Sequence, residues 1–352
     1  MEATFETRFL AEIVKTPSPS GFEDAAASLF AKRLKDLGWE TIERDKVGNV
    51  VARRGNGPKE LVLLGHIDTV QGGPDFRLDG GTMHGRGTVD AKGPLCALAV
   101  AGGRAGIPGE WKVTLIAAVG EETDSRGARY RVALHRPSAC IVGEPTGTDG
   151  IALAYRGRIL ARLFSKDGGA HRSWSPGPPT AVVLAAAEIL GAVGVSGSTP
   201  GISSRNSGAV LSMHGEETQG RIAELFLDIR VAASHTPESL TELVMEISDR
   251  HDVSAKILDS VPYHGVNASD PVAGAIRNAL RRAGTKPRFL KKSGTSDFNT
   301  VASWGCPMAV YGPGRTELEH TSEERIETFD YIKSIEILER AITNIFHMPR
   351  IG

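Results

Sequence analysis

Two side chains suited to holding a metal cation, His66 and Asp68, come directly after the apolar run at residues 61–64. Asp90, Glu121, Glu122, Glu144 and His320 extend the same chemistry downstream. On an extended chain residues i and i+2 point to one side, so His66 and Asp68 can enter one site together. Imidazoles and carboxylates with no thiolate suit zinc, with cobalt or manganese as alternatives. The carboxylate of Asp90 can bridge two such ions. His66 and Glu144 could complete the shell of one, and Glu122 and His320 that of the other. Two-metal hydrolases hold their ions about 3.5–4 Å apart and leave room for a shared water. Glu121 cannot easily share the direction of Glu122 on an extended chain. It is therefore free to take a proton from that water and pass it to a leaving nitrogen. Asp68 would hydrogen-bond His66 and fix its tautomer.

Taken singly, each residue has an ordinary reading. A histidine ending a strand is commonly a surface or satisfied residue. A Glu-Glu pair commonly sits in a solvated loop, and Asp90 could simply cap the helix after it. The ordered set carries the metal reading: HxDxV after an apolar run, then GRGTVDAKG, then an apolar run ending in EE, then GEPT.

Such scattered residues need a scaffold that brings them to one edge. The runs at 61–65, 113–119 and 139–142 read as buried strands, and each delivers a candidate ligand at its end. Residues 5–14, 22–37, 92–105 and 128–134 read as helices. Residues 39–44 and 47–54 read as a strand pair turning at Asp45-Lys46, and the glycines at 80–87 as a hairpin leading to Asp90. This alternation predicts an α/β unit with a mostly parallel sheet flanked by helices, where sites form beyond the carboxyl ends of strands. The pattern changes at residue 151. Residues 151–164 read as antiparallel strands interrupted at Arg156-Gly157. Helices at 180–190 and 237–249 and strands at 209–213, 222–231 and 253–258 come next. That order predicts an α+β sandwich with its helices on one face. The expected division is a catalytic unit in two parts, residues 1–150 and 262–352, with an inserted unit over residues 151–261. The second part holds helices at 271–282 and 328–346 and strands at 288–290 and 307–311.

A chain of 352 residues is long enough for two cores. Its net charge of −1 points to neither nucleic acid nor membrane as a partner. No apolar run approaches the ~18 residues that span a bilayer. The amphipathic start, MEATFETRFLAEIV, carries acids early, unlike a secretory leader, so a soluble cytoplasmic protein is expected. Cys96, Cys140 and Cys306 are isolated in apolar surroundings and read as small buried hydrophobes, not as a disulfide framework.

With these motifs laid out, the chain resembles, over essentially its full length, the dinuclear-zinc amidohydrolases. That family includes acetylornithine deacetylase, succinyl-diaminopimelate desuccinylase, aminoacylase and carboxypeptidase G. The resemblance implies a zinc-exopeptidase-like sheet and an inserted ferredoxin-like domain that mediates homodimerisation. It also implies two zinc ions per subunit, one on His66, Asp90 and Glu144 and the other on Asp90, Glu122 and His320. Glu121 becomes the general base, Asp68 the residue that orients His66, and the Asp90–Ala91 peptide cis. His171, in GGAHRSWSP, takes the position of a histidine that reaches across the dimer to polarise the scissile carbonyl and stabilise the oxyanion. Without the resemblance it is an ordinary loop histidine.

Within the family, VDAKGPLCA (89–97), SGTSDFN (293–299) and GCPMAVYGPG (305–314) followed by LEHTSEE resemble one branch in particular. That branch releases lysine or ornithine from an amino-group carrier protein in lysine and arginine biosynthesis. It cuts the isopeptide bond between the γ-carboxyl of the carrier's C-terminal Glu and the α-amino group of the amino acid. Acetylornithine deacetylation or desuccinylation is the alternative. A catalytically inactive binding homologue is a third reading, against which the filled ligand and base positions stand. The carrier is acidic, so a basic mouth is expected, with Arg126, Arg129, Arg131, Arg156, Arg158, Lys291 and Lys292 as candidates. Arg205, Arg230 and the Gly294-Thr295-Ser296 turn could bind a substrate carboxylate, although Arg230 could equally pair with Asp228. Many relatives carry Asn-Val-Ile-Pro where Glu217-Thr218-Gln219-Gly220 stands here, so no asparagine contact is expected on the acyl side.

Overall fold

The structure, a computed structural model, describes residues 4–171, 173–194, 205–218 and 220–348. Helices α1 (Phe5–Lys15) and α2 (Asp24–Leu34) precede the strands β1 (Thr41–Arg44), β2 (Val50–Arg54) and β3 (Lys59–His66). The hairpin β4 (Arg77–Asp79) and β5 (Thr82–His84) turns at Gly80-Gly81, both with positive φ. After it come α3 (Lys92–Arg104), β6 (Trp111–Ala118), α4 (Arg126–Val132), β7 (Ala139–Val142) and β8 (Gly150–Tyr155). Next are β9 (Gly157–Asp167), α5 (Gly177–Ala192), β10 (Ser207–Thr218), β11 (Gly220–Val231), α6 (Pro237–Arg250), β12 (Ser254–Val261) and β13 (His264–Gly265). The chain continues through α7 (Pro271–Arg282), β14 (Arg288–Lys292), α8 (Asp297–Thr300), β15 (Met308–Val310), β16 (Arg325–Glu327) and α9 (Thr328–Phe346).

Two compact units emerge: residues 1–153, 266–290 and 296–352, and residues 154–265 and 291–295. In the first, the sheet runs β1-β2-β6-β3-β7-β15-β8. Its centre, β6-β3-β7-β15, is parallel, and β2 and β8 flank it antiparallel. Strands β3, β6 and β7 are almost wholly buried, as strands covered by helices must be. That is why they read as unbroken apolar runs. Helices α1, α2, α3, α7 and α9 supply the rest of the core, including Phe9, Phe30, Leu95, Ile276 and Leu338. Buried indoles satisfy their N–H groups there, Trp39 on the carbonyl of Ala99 at 3.0 Å and Trp111 on that of Phe346 at 3.2 Å. The α/β architecture is the expected one. Cys96 and Cys140 are buried as expected, whereas Cys306 is only half-buried, at a turn just before β15.

The second unit is a four-stranded antiparallel sheet, β10-β11-β9-β12, backed by α5 and α6. The order β9-α5-β10-β11-α6-β12 is ferredoxin-like. Its core joins Ile159, Leu163, Leu225 and Ile229 of the sheet to Val182, Ile189, Leu240 and Val244 of the helices. One strand differs from expectation. Residues 151–155 read as part of this sandwich, yet β8 pairs with β15 in the large sheet. All of β8 is buried, while β9 alternates buried and half-buried residues. The unbroken GIALAY and the alternating ILARLF record that difference.

Lys92 opens α3 with a buried side chain. Its ammonium donates to the carbonyls of Ile13 (3.2 Å) and Thr16 (2.7 Å) at the end of α1. Burial pulls its pKa down to about 8, against about 10.4 for an unfolded lysine. The unfolded chain therefore holds this proton more tightly, and the group's contribution to stability rises as pH climbs from 8 towards 10. In urea titrations of wild type and Lys92→Met, the difference is expected to move in favour of the wild type over that window. A pH-independent difference would mean that the ammonium is not desolvated.

Candidate metal centre

The parallel register lines up the C-terminal ends of three strands, pairing His66 with Ala118 and Leu64 with Val142. β3 therefore ends in His66 beside the segment carrying Glu121-Glu122 and the segment carrying Glu144. Gly143 lets β7 end tightly against α3, since a Cβ there would lie 2.6 Å from Leu98 Cδ1. Asp90 arrives at the N-terminus of α3 through a cis Asp90–Ala91 peptide.

These segments bring the candidate ligands together. His66 Nε2 lies 3.2 Å from Asp90 Oδ1. His320 Nε2 lies 3.0 Å from Asp90 Oδ2 and 3.0 Å from Glu122 Oε1. Asp90 thus turns one oxygen to each imidazole. Glu121 and Glu144 each bring a carboxylate oxygen to 4.0 Å from His66 Nε2. Ligand atoms of His66, Asp90 and Glu122 lie within 4.8 Å of one another, a spacing that could hold a metal ion. His320 alone of the group is well exposed, and its backbone takes a left-handed φ of 59°.

A bound cation would offset the charge of this acid-rich cluster. Four carboxylates face two imidazoles, an excess of negative charge even with both rings protonated. Burial pushes the carboxyls of Glu121 and Glu144 well above the ordinary range, and Glu122 is raised for the same reason. Burial acts on Asp90 likewise, but the two imidazoles outweigh it and hold its carboxyl low. Hydrogen bonds to Asp90 and Glu122 raise His320 to about 10. Buried carboxylates set against nitrogen donors, with no thiolate among them, fit divalent zinc or cobalt.

Asp68 touches His66 through its main chain. His66 Nδ1 is 3.0 Å from the Asp68 carbonyl and 3.6 Å from its carboxylate. A carbonyl only accepts, so Nδ1 is the donor in this contact, and Nε2 is the nitrogen that would face a cation. The fully buried carboxylate also accepts from the N–H groups of Glu121 (3.0 Å) and Glu122 (3.1 Å) and from the Ser20 hydroxyl (2.7 Å). It aligns the peptide that bears both glutamates. No sequence signal singles out Ser20, which lies 48 residues away.

His171 belongs to the second unit, where it is exposed and its Nδ1 lies 2.7 Å from Ser173 Oγ. In that unit Arg230 donates to Asp228 (3.2 Å) and to Thr295 Oγ1 (3.1 Å), and Thr295 donates to the Arg156 carbonyl (2.8 Å). The Asp228 pairing is thus formed. Arg205 is exposed, its carbonyl accepting from Arg156 at 3.0 Å, and Gly294 has open space around it. Ser296 lies in the first unit as the N-cap of α8, its hydroxyl accepting from Phe298 N–H and its own N–H bound to Asn299. Of the residues expected to form a basic mouth, Arg131 is buried against Asp45 and Arg156 is buried in the second unit. Arg126 pairs with Glu23 at 2.7 Å and Arg158 with Asp228 at 3.4 Å. Composition alone does not distinguish a cation that faces water from one that ties two segments together. Gln219, in the segment replacing Asn-Val-Ile-Pro, lies outside the described residues.

Two further acids near the centre carry no distinguishing mark in the sequence. Asp297, within SGTSDFN, is fully buried and feels the charge of His66; its carboxyl is pushed up to about 7 by burial. Glu324, within LEHTSEE, binds the backbone that leads to Asp90. Each stands inside a motif, yet only burial separates it from an ordinary surface acid.

Residues 62–344 match the model of peptidase family M20/M25/M40, and the chain belongs to that family. Family and donor cluster together define a metal-dependent hydrolase acting on C–N bonds. The chain is 32% identical to LysW-lysine hydrolase of Deinococcus radiodurans, covering 98% of this chain and 98% of that protein. It is 30% identical to LysW-lysine/LysW-ornithine hydrolase of Saccharolobus solfataricus, over 90% of this chain and 89% of that one. Among solved structures, the M20 family metallo-carboxypeptidase Sso-CP2 from Sulfolobus solfataricus shares the fold. Its TM-score is 0.78 at 19% identity, covering 98% of this chain and 100% of that one.

Proposed function

We propose that the protein hydrolyses LysW-lysine or LysW-ornithine, cutting the isopeptide bond between the carrier's C-terminal Glu γ-carboxyl and the α-amino group of the amino acid. The observation that carries this reading is Asp90, with one oxygen turned to each of two imidazoles and Glu121 beside them. It occurs in a chain that resembles carrier-specific hydrolases over nearly its whole length.

In this reading His66, Asp90 and Glu144 would hold one zinc ion, and Asp90, Glu122 and His320 the other, with cobalt able to substitute. The cations, when bound, supply Lewis acidity, which makes a shared water more acidic and polarises the scissile carbonyl. Glu121 takes the proton of that water and returns it to the leaving α-nitrogen. Asp68 keeps Glu121 and Glu122 in register through their N–H groups. His171 of a second copy of the chain would stabilise the oxyanion. A homodimer is supported by exposed apolar residues on one helix and one strand of the second unit: Val183 and Leu184 on α5, and Val210, Leu211 and Met213 on β10. Arg205, Arg230 and the turn at Gly294, Thr295 and Ser296 remain candidates for the substrate carboxylate. Exposed Lys291 suits an acidic carrier. No helix among the described residues is long and apolar enough to cross a membrane, and a biosynthetic role fits the cytoplasm.

The test offers the metal-loaded enzyme three substrates side by side: carrier-linked lysine, carrier-linked ornithine and N-acetylornithine. Release of free lysine or ornithine from the carrier is expected. Turnover of N-acetylornithine with both carriers left intact would refute the proposal.

A further inference from the structure

We propose that Glu324 is a positioning residue for the metal centre, a buried carboxylate that fixes the Asp90 loop against the His320 loop. This rests on the reading of Asp90, Glu122 and His320 as ligands of one ion. Glu324 stands four residues after His320, directly before β16, and its side chain is wholly buried. One oxygen, Oε1, accepts three main-chain N–H groups in turn: Gly87 at 2.9 Å, Val89 at 2.9 Å and Asp90 at 3.1 Å. The other, Oε2, accepts from Arg86 Nη1 at 2.5 Å. Arg86 itself reaches back to the Thr321 carbonyl at 3.3 Å and out to the Gly72 carbonyl at 3.0 Å. The Glu324 carbonyl accepts from Gly85 N–H at 3.2 Å. The strands continue the same union, Arg325 opposite His84.

The arrangement has a physical logic. A carboxylate buried this deeply is tolerable only with several charge-assisted donors, and the N–H groups of residues 87, 89 and 90 with a guanidinium supply them. Curling the loop so that residues 87, 89 and 90 donate to one point needs a left-handed residue, and Gly87 supplies it with a φ of +88°. A Cβ at Gly87 would fall 2.9 Å from Lys92 Cδ and 3.0 Å from Thr69 Cγ2. The last of the three donors is the N–H of Asp90 itself. Glu324 therefore sets the backbone of the residue whose oxygens face both imidazoles, from the loop that carries one of those imidazoles. Partners of this kind, one bond removed from a ligand, govern metal affinity because they hold ligands at their bound separation.

Glu324→Gln keeps the shape of the side chain, but its amide places an N–H donor against either Arg86 or the loop. Glu324→Ala removes every contact. Zinc affinity, measured by competition with a chromophoric chelator, is expected to weaken about 10- to 100-fold in both variants, because Asp90 faces both imidazoles. The affected kcat should recover as free zinc is raised, with KM little changed. A merely structural role would lower the thermal midpoint of the metal-free protein and leave both zinc affinities alone. That outcome in Glu324→Gln overturns the proposal. Wild type that binds no zinc would instead refute the metal reading, and this inference with it. Wild type with two zinc ions alongside a Glu324→Gln variant of unchanged affinity would refute this inference alone.

Discussion

Glu121→Gln is expected to lower kcat on a carrier-linked amino acid by about a thousandfold, within the range that a positioned acid–base group contributes, while zinc content stays at the wild-type level. The reason lies in the contacts that the substitution preserves. Gln has the same shape as Glu, and the main-chain N–H of residue 121 still donates to Asp68. The neighbouring Glu122 therefore keeps its place 3.0 Å from His320. The variant loses only an oxygen able to accept and hold a proton beside His66. Burial and the adjoining carboxylates raise the proton affinity of Glu121 in the wild type. Steady-state kinetics with metal analysis of the same samples checks this. Activity within tenfold of wild type at full zinc content would remove Glu121 from the role of base.

Asp90→Asn should fail in the opposite order, losing metal first and chemistry as a consequence. Asp90 offers one oxygen to each imidazole. An asparagine has only one oxygen, so in either orientation an amide N–H faces one of the two positions. That removes a negative charge and puts a donor where an acceptor is needed. At least one ion is expected to be lost on dialysis. kcat/KM should fall on the order of a thousandfold, equivalent to about 4 kcal/mol of transition-state stabilisation. Retention of two tightly held ions in this variant would contradict the bridging assignment. The pair of variants separates the two halves of the site, since one keeps the cations without the base and the other keeps the base without the full set of cations.

Much of this was legible from residue order. Unbroken apolar runs before His66, Glu121 and Glu144 announced strands buried on both faces, and such strands, placed side by side in parallel, deliver the residues at their carboxyl ends to one edge. Chain-local signals of this kind survive because burial acts on each strand separately. The sheet to which β8 belongs was not legible, because a short apolar strand does not say which neighbours cover it; the pairing with β15 depends on a segment over 150 residues away. The basic mouth was overcounted for a related reason. Arg131 and Asp45, 86 residues apart, find each other only when the chain is folded.

The linear chain by itself determined the candidate donors that the fold gathers, because residue type is written locally, and so is the strand-end position of His66. The tertiary structure alone decided the division of labour among the acids. Asp68 turned its carbonyl to His66 and its carboxylate to the glutamate peptide, and Glu324 came to hold the loop of Asp90. The reason is that a carboxylate's role depends on which donors surround it once water is excluded, and those donors come from segments that only folding brings together.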